Sequence, residues 1–209
     1  LGALLLARGE NDLAARHFQA ALRADPTLND AAYNLALILE SKGERSDAES
    51  LLRHVLQRDG AHQGALIGLA RLLTGGRPEQ RLEALELSDR AIANQPEDPA
   101  AHHSRGVVLE RLRRARDAAE SFREAWRVSG NSMPVALSDL ALALHKSGSQ
   151  YREALEAMSE FSALQPLDAS QLLTLINLRL HFCEWDTLGQ DVGVLREARK
   201  LPDERASTG

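Results

Sequence analysis

Seven histidines and three recurring pairs of acids are the residues of this chain that could do chemistry. His102 and His103 are adjacent, His145 follows, and His54 and His62 precede them. Two histidines that share a metal on a helix stand four apart, as in HExxH, so that both rings lie on one face. Neighbours in sequence diverge by ~100° instead. The histidines therefore read as surface and groove residues, and no metal site is expected. Glu83 with Glu86, Asp117 with Glu120, and Glu153 with Glu156 each share a helical face. A catalytic acid–base pair has no reason to recur at a fixed interval. A helix start does, because carboxylates there meet the positive end of the helix dipole. These acids are expected to form solvated first turns. SRG, GNS and TGG do not match the phosphate loop GxxxxGKS/T, and no Ser–His–Asp or Cys–His spacing is evident. No catalytic residue and no cofactor is expected in this chain, which reads as a non-enzyme.

Bulk composition narrows the partners. The 209 residues carry a net charge of −5 and no basic stripe, so nucleic acid is not the expected ligand. The longest apolar stretches, AAYNLALIL and SDLALALH, are too short to span a bilayer, and no membrane insertion is expected. The single cysteine, Cys183, can form no disulfide within the chain and is compatible with a reducing, cytoplasmic compartment. Hydrophobic residues make up 44% of the chain but aromatics only 4%, which suits helices packed closely through Ala and Leu.

What positions any of these residues is a repeat. Alanine recurs at Ala14, Ala48, Ala84, Ala118 and Ala154, and a helix breaker follows each: Pro26, Gly60, Pro96, Gly130 and Pro166. A second small residue precedes each, at Gly2, Ala36, Ala70, Gly106 and Ala141. The period of about 34 residues is that of stacked helix pairs. In residues 29–62 the first helix runs through NDAAYNLALILESK and ends at Gly43, since glycine accepts a left-handed C-terminal conformation cheaply. Ser46 or Asp47 is the expected cap of the second helix. Ala36 and Ala48 mark the close approach of the two helices. Phe18, Leu52, Ser88, Phe122 and Met158 hold one equivalent place on the second helices, with Ser88 the weakest packer.

The expected fold is all-α, a right-handed superhelical solenoid of antiparallel helix pairs. Its units are 1–28 (partial), 29–62, 63–98, 99–133 and 134–168, then a degenerate sixth pair or cap at 169–202 and a polar tail at 203–209. Extra residues around Gly75, Gly76 and Pro78, and around Gly148 and Met133–Pro134, are expected to lengthen loops. Leu1 already falls inside a helix, so the array is expected to extend upstream as part of a larger protein. The uncapped first repeat offers a surface for self-association. The first helices line the concave side of such an array, and the residues expected there are Tyr33, Asn34, Leu37, Ile67, Arg71, His103, Val107, Glu110, Ser138, Leu142 and His145. This mixed apolar and polar set suits a protein or peptide partner.

The pattern across about residues 1–168 resembles the tetratricopeptide repeat family. It is carried by Gly2, Ala14, Phe18, Ala21, Pro26, Ala36, Ala48, Ala70, Ala84, Ala91, Pro96, Gly106, Ala118, Phe122, Ala125, Ala141, Ala154 and Pro166. The resemblance implies a protein-binding module. NLRLHFCEWDTL, with Cys183, Glu184 and Trp185, resembles the junction between repeats and catalytic region in protein O-linked N-acetylglucosamine transferases. That resemblance implies a UDP-sugar glycosyltransferase as the parent protein, with this chain its non-catalytic, substrate-guiding part. Asn34 matches the asparagine ladder that such a groove implies, while Gly68, Ser104, Asp139 and Thr174 take the later places. The residues themselves admit a plainer reading, in which Trp185 closes the last hydrophobic layer and Cys183 is buried as a small apolar residue. A scaffold in secretion or envelope assembly is the third reading.

Overall fold

A computed structural model of the chain describes residues 1–148, 150–184, 189 and 193. Among the described residues eleven helices with given bounds follow one another and no strand occurs. They are α1 (Gly2–Ala7), α2 (Asn11–Ala24), α3 (Asn29–Ser41), α4 (Arg45–Arg58), α5 (Gln63–Thr74), α6 (Pro78–Asn94), α7 (Pro99–Arg111), α8 (Ala115–Val128), α9 (Pro134–Ser147), α10 (Tyr151–Leu164) and α11 (Ala169–His181). Odd-numbered helices are the first of each pair and even-numbered helices the second. The chain divides into two compact units, Leu1–Leu112 and Arg113–Gly209. The second helix expected after α11, with Trp185, and the tail at 203–209 lie largely or wholly outside the described residues.

Small residues set the packing. Ala14, Ala48, Ala84, Ala118 and Ala154 are all fully buried, and Ala36, Ala70 and Ala141 are at most 1% exposed. Each lets two helix backbones approach closely, and each is flanked by a larger buried residue at the place of Phe18, Leu52, Phe122 or Met158. At Ser88 that place is filled by a polar side chain. Its hydroxyl donates to the Ala84 carbonyl at 3.0 Å, and the Ser104 hydroxyl stands 3.2 Å away. With its one proton spent on the carbonyl, Ser88 receives the hydrogen bond from Ser104.

The breakers act two residues ahead of themselves. The second helices end at Ala24, Arg58, Asn94, Val128 and Leu164, each two residues before Pro26, Gly60, Pro96, Gly130 or Pro166. Proline forces this by disfavouring the helical conformation in the residue before it.

Extra residues follow the sequence expectation only in part. The turns between paired helices, residues 8–10, 42–44, 75–77 and 112–114, each hold three residues. The third repeat absorbs its insertion in α6, which is 17 residues long against 14 in α2, α4, α8 and α10. Pro78 is the first helical residue of α6, where its missing N–H costs nothing. In the fifth repeat one extra residue lengthens the connection before Pro134 as expected, 129–133 holding five residues where 25–28, 59–62 and 95–98 hold four. The other is taken into α9, which has 14 residues where α3 and α7 have 13. A helix end can grow without moving the packed middle, whereas a longer turn would unpair the two helices.

The turn itself explains the capping. Gly43 has φ +82°, its N–H bonds the Glu40 carbonyl, and the Glu44 N–H bonds the Leu39 carbonyl, both at 2.9 Å. This pair of bonds is the Schellman closure of a helix. Gly9 and Glu10 repeat it at the end of α1. The second helix therefore starts at Arg45 with Glu44 at its cap position and no side-chain cap bond. Ser46 and Asp47, expected as caps, lie inside the helix because the closure leaves no room for a longer entry.

Candidate polypeptide-binding faces of the first helices

In the unit Leu1–Leu112, α3 lies against α5 and α5 against α7. The second helices α4 and α6 are bridged by two long side chains, the ion pair of Arg53 with Glu83. The first helices are thus the more tightly spaced rank, and their shared face is where the groove residues are expected. Tyr33, Asn34 and Leu37 of α3, Ile67 of α5, and His103, Val107 and Glu110 of α7 are half-buried, while Arg71 is exposed. Partial burial is what a face needs if it is to be fixed by its own packing and still reach a ligand.

Several of these side chains are already engaged. Arg71 is held by both carboxylate oxygens of Glu40, with Nε at 3.1 Å from one of them. It presents a neutralised pair and no lone cation. The Asn34 amide donates to the carbonyl of Asp30 at 2.7 Å, which leaves its side-chain oxygen as the acceptor for a ligand N–H. Tyr33 lies across α5, where a Cβ on Gly64 would stand 2.6 Å from its ring. Gly64 is the residue that admits this ring. His62 closes the arrangement, 5.3 Å from the Tyr33 centroid, and its Nδ1 accepts the Ala65 N–H to cap α5. A cleft lined by Gly2, Phe18, Leu28, Asp30, Asn34 and His62 opens beside it.

In the unit Arg113–Gly209, α9 packs on α10 and α11. Leu142 and His145 are half-buried, but Ser138 is only 2% exposed. Its hydroxyl receives the Gln171 amide at 2.7 Å, so Ser138, expected in the groove, is spent on holding α11. Around His145 the structure assembles an aromatic chain that sequence reading missed. Tyr151 lies 6.1 Å from His145 and 4.4 Å from His181, and Phe182 follows at 5.2 Å with Arg152 4.1 Å above its ring. The helix periodicity gives His145 and His181 as separate residues. Only the antiparallel return of α10 brings Tyr151 between them.

Cys183 is exposed and has φ +57°. Its N–H bonds the Leu180 carbonyl at 3.1 Å and the Glu184 N–H bonds the Arg179 carbonyl at 3.0 Å. Cys183 and Glu184 thus stand where Gly43 and Glu44 stand, in an ordinary turn after a first helix. The expectation of a buried cysteine in the last hydrophobic layer is corrected: Cys183 is exposed and closes α11. The acids are corrected in part. Glu83 and Glu153 are bonded to Arg53 and Arg123, each thirty residues earlier, and Asp117 is bonded to Arg114. Asp117 and Glu153 lie in the first turns of α8 and α10 as expected, whereas α6 starts at Pro78 and leaves Glu83 beyond its first turn. Glu83 and Glu153 in addition staple successive second helices. The Glu83 carboxyl is held below its usual value, first by the hydrogen bond from Arg53 and against the effect of its burial. Among the described residues no group of three or more His, Cys, Asp or Glu is placed to hold a metal, and no helix is long and apolar enough to cross a membrane.

The family model described as tetratricopeptide repeat matches residues 1–63 and 79–132, more than half of the chain. The chain belongs to the tetratricopeptide repeat family. No curated protein matches it. Solved structures similar to this repeat protein include that from the functional characterization of Pseudomonas aeruginosa pilF, 25% identical with a TM-score of 0.83, covering 94% of this chain and 88% of that one. PilW, a widely conserved type IV pilus biogenesis factor, has a TM-score of 0.83 at 18% identity, over 99% and 94% of the two chains. A thermophilic TPR protein of Thermus thermophilus has a TM-score of 0.67 at 23% identity, over 86% and 96%. The repeat fold is common to the geometry and these likenesses, and membership of the tetratricopeptide repeat family carries the role of a protein–protein interaction scaffold.

Proposed function

We propose that this tetratricopeptide array binds a partner or substrate polypeptide along the concave faces of its first helices. The observation that carries the reading is the strip formed by Tyr33, Asn34, Leu37 and Ile67. These are half-buried residues of mixed polarity on two adjacent first helices, with the Asn34 oxygen left as an acceptor. An extended peptide brings backbone N–H groups and side chains at short intervals, and such a strip offers an acceptor beside apolar area. A peptide array probed with wild type and with Asn34→Ala and Ile67→Asp tests this. Loss of the bound spots in both variants supports the reading, and identical spot patterns overturn it.

A second reading, a scaffold in secretion or envelope assembly, draws support from the near-complete mutual coverage with pilF and with PilW, the pilus biogenesis factor. Deleting the gene in its source organism tests it: surface piliation and protein secretion that stay unchanged would remove it. The reading of a glycosyltransferase parent rests on the resemblance at Cys183, Glu184 and Trp185; the first two occupy an ordinary repeat turn, and Trp185 lies outside the described residues. The sequence following Gly209 in the gene tests it, with a two-lobed α/β region as the supporting result. Self-association through the first repeat draws on Leu1 and Leu4, 75% and 68% exposed, and sedimentation at several concentrations tests it.

A further inference from the structure

The chain's own repeats supply the comparison. The turn after α1 reads Arg8, Gly9, Glu10, and the turn after α3 reads Lys42, Gly43, Glu44. In both the middle residue is a glycine with positive φ and the third is a glutamate at the cap position of the next helix. After α11 the last two places are Cys183 and Glu184. At α8 the same places hold Arg113, with φ +62°, and Arg114 at the cap. Both replacements act against local stability. A side chain in the left-handed region crowds the backbone, and a cation at a helix N-terminus opposes the positive end of the dipole that Glu10 and Glu44 complement.

These two arginines do not stand alone. Arg113, Arg114 and Arg116, with Lys146 near the end of α9, line one open cleft together with Ala115, Asp117 and Ser147. All four cations are exposed. Arg114 pairs with Asp117, with Nε at 2.6 Å, which neutralises one of them. Arg113 and Arg116 make no ion pair among the described residues. On a chain of net charge −5, this is a local excess of positive charge at a place where the first two repeats carry glycine and glutamate and the third carries Gly76 and a single arginine, Arg77. The first residues of α8, Ala115 to Asp117, line the same cleft, and the Arg114 side chain does not cap that helix.

We propose that this cleft is a second binding site, away from the faces of the first helices, and that it takes an acidic segment of a partner polypeptide. Guanidinium groups grip carboxylates through paired hydrogen bonds, and the uncapped N–H groups of α8 add donors of the same sign of field. The cleft is sized for one or two side chains, so affinity would come from a run of Asp and Glu that also meets the surrounding cations. The sequence signal is RLRRARD, which an overall charge count hides.

The test uses the full chain and a fluorescein-labelled decapeptide of alternating Asp and Glu, read by fluorescence anisotropy. Binding should weaken at least tenfold between 50 and 200 mM NaCl, as exposed charge pairs are screened. The double variant Arg113→Gly/Arg114→Glu installs the turn of the first two repeats. It should keep or raise the melting temperature while losing at least tenfold in affinity. Arg116→Gln gives an independent arm should the double variant fold poorly, with an expected loss of three- to tenfold. Wild type that ignores the peptide, or variants that bind it as well as wild type, would overturn the proposal. So would tighter binding to phosphatidylserine vesicles, inorganic phosphate or a single-stranded oligonucleotide than to the peptide.

Discussion

Arg53 donates two hydrogen bonds to Glu83, at 2.5 and 3.0 Å, and Arg123 holds Glu153 at 2.7 Å over the same separation of thirty residues. Each pair joins the middle of one second helix to the N-terminal half of the next, Glu153 in the first turn of α10 and Glu83 in the second turn of α6. The equivalent geometry in two places marks it as a stitch between repeats. Arg53 is bonded to Glu49 as well, at 2.9 Å, which pins its side chain before it reaches across.

The stitch should have an acid limb. Glu83 titrates below its ordinary value in the folded chain because Arg53 bonds its charged form. A carboxyl so depressed contributes stability above its unfolded value of ~4.3, and that contribution is lost as pH falls through the folded value. Both side chains are more than a third exposed, so solvent screens the pair and Glu83→Gln should cost no more than ~1 kcal/mol at pH 7. Urea midpoints of wild type and variant should differ at pH 7 and converge once the pH falls below the folded value. A gap that persists there would show that ionisation of Glu83 is not its source.

Overpacking should be costly at the alanine ladder. Ala84 is fully buried, and Ala84→Leu inserts three heavy atoms where α5 and α6 meet, at a typical cost of about 1–3 kcal/mol. Phe122→Ala, at a place with no exposure, should cost about 3–5 kcal/mol. Thermal unfolding followed by circular dichroism measures both. An Ala84→Leu protein as stable as wild type would mean that the helices are not in close contact there.

The buried serines should be coupled. Ser104 donates to Ser88, so Ser88→Ala removes an acceptor and leaves the Ser104 hydroxyl buried without it, at about 1–3 kcal/mol. The double variant Ser88→Ala/Ser104→Ala removes both groups and should recover most of that loss. Additive losses in a double-mutant cycle would show that the two hydroxyls do not interact.

Gly64 should control the groove more than the stability. A Cβ there meets the far end of the Tyr33 ring, which can swing away. Gly64→Ala also gains helix propensity of up to ~1 kcal/mol. The melting temperature should therefore change little, while the Tyr33 ring signals shift in NMR spectra and peptide binding on the concave face falls. Unchanged ring signals would contradict the contact.

The sequence carries the packing geometry better than the connections. Small residues at a fixed period can mean little else than close helix contacts, and Ala14 through Ala154 are buried as their spacing requires. The proline and glycine breakers likewise set the ends of the second helices. Near Gly75 the expectation is a longer loop, because glycine and proline usually mark one. The helix boundary follows instead from where the three-residue turn closes, which composition does not encode. The faces of the first helices are legible as helix positions. That Arg71 is paired with Glu40, and that Ser138 is taken by Gln171, depends on residues about thirty positions away meeting across the stack.

The invariance of the turn against the variable helix has a practical corollary for altering this protein. Because α6 carries its surplus at its N-terminal end while its turn stays at three residues, each repeat behaves as a rod whose tip can be cut to length while its hinge pin is fixed. A surplus of about three residues moves that tip outward by roughly 4.5 Å, at 1.5 Å per residue. Fusion partners, labels or epitopes grafted as whole turns onto such tips would project from the stack and leave the layers beneath undisturbed.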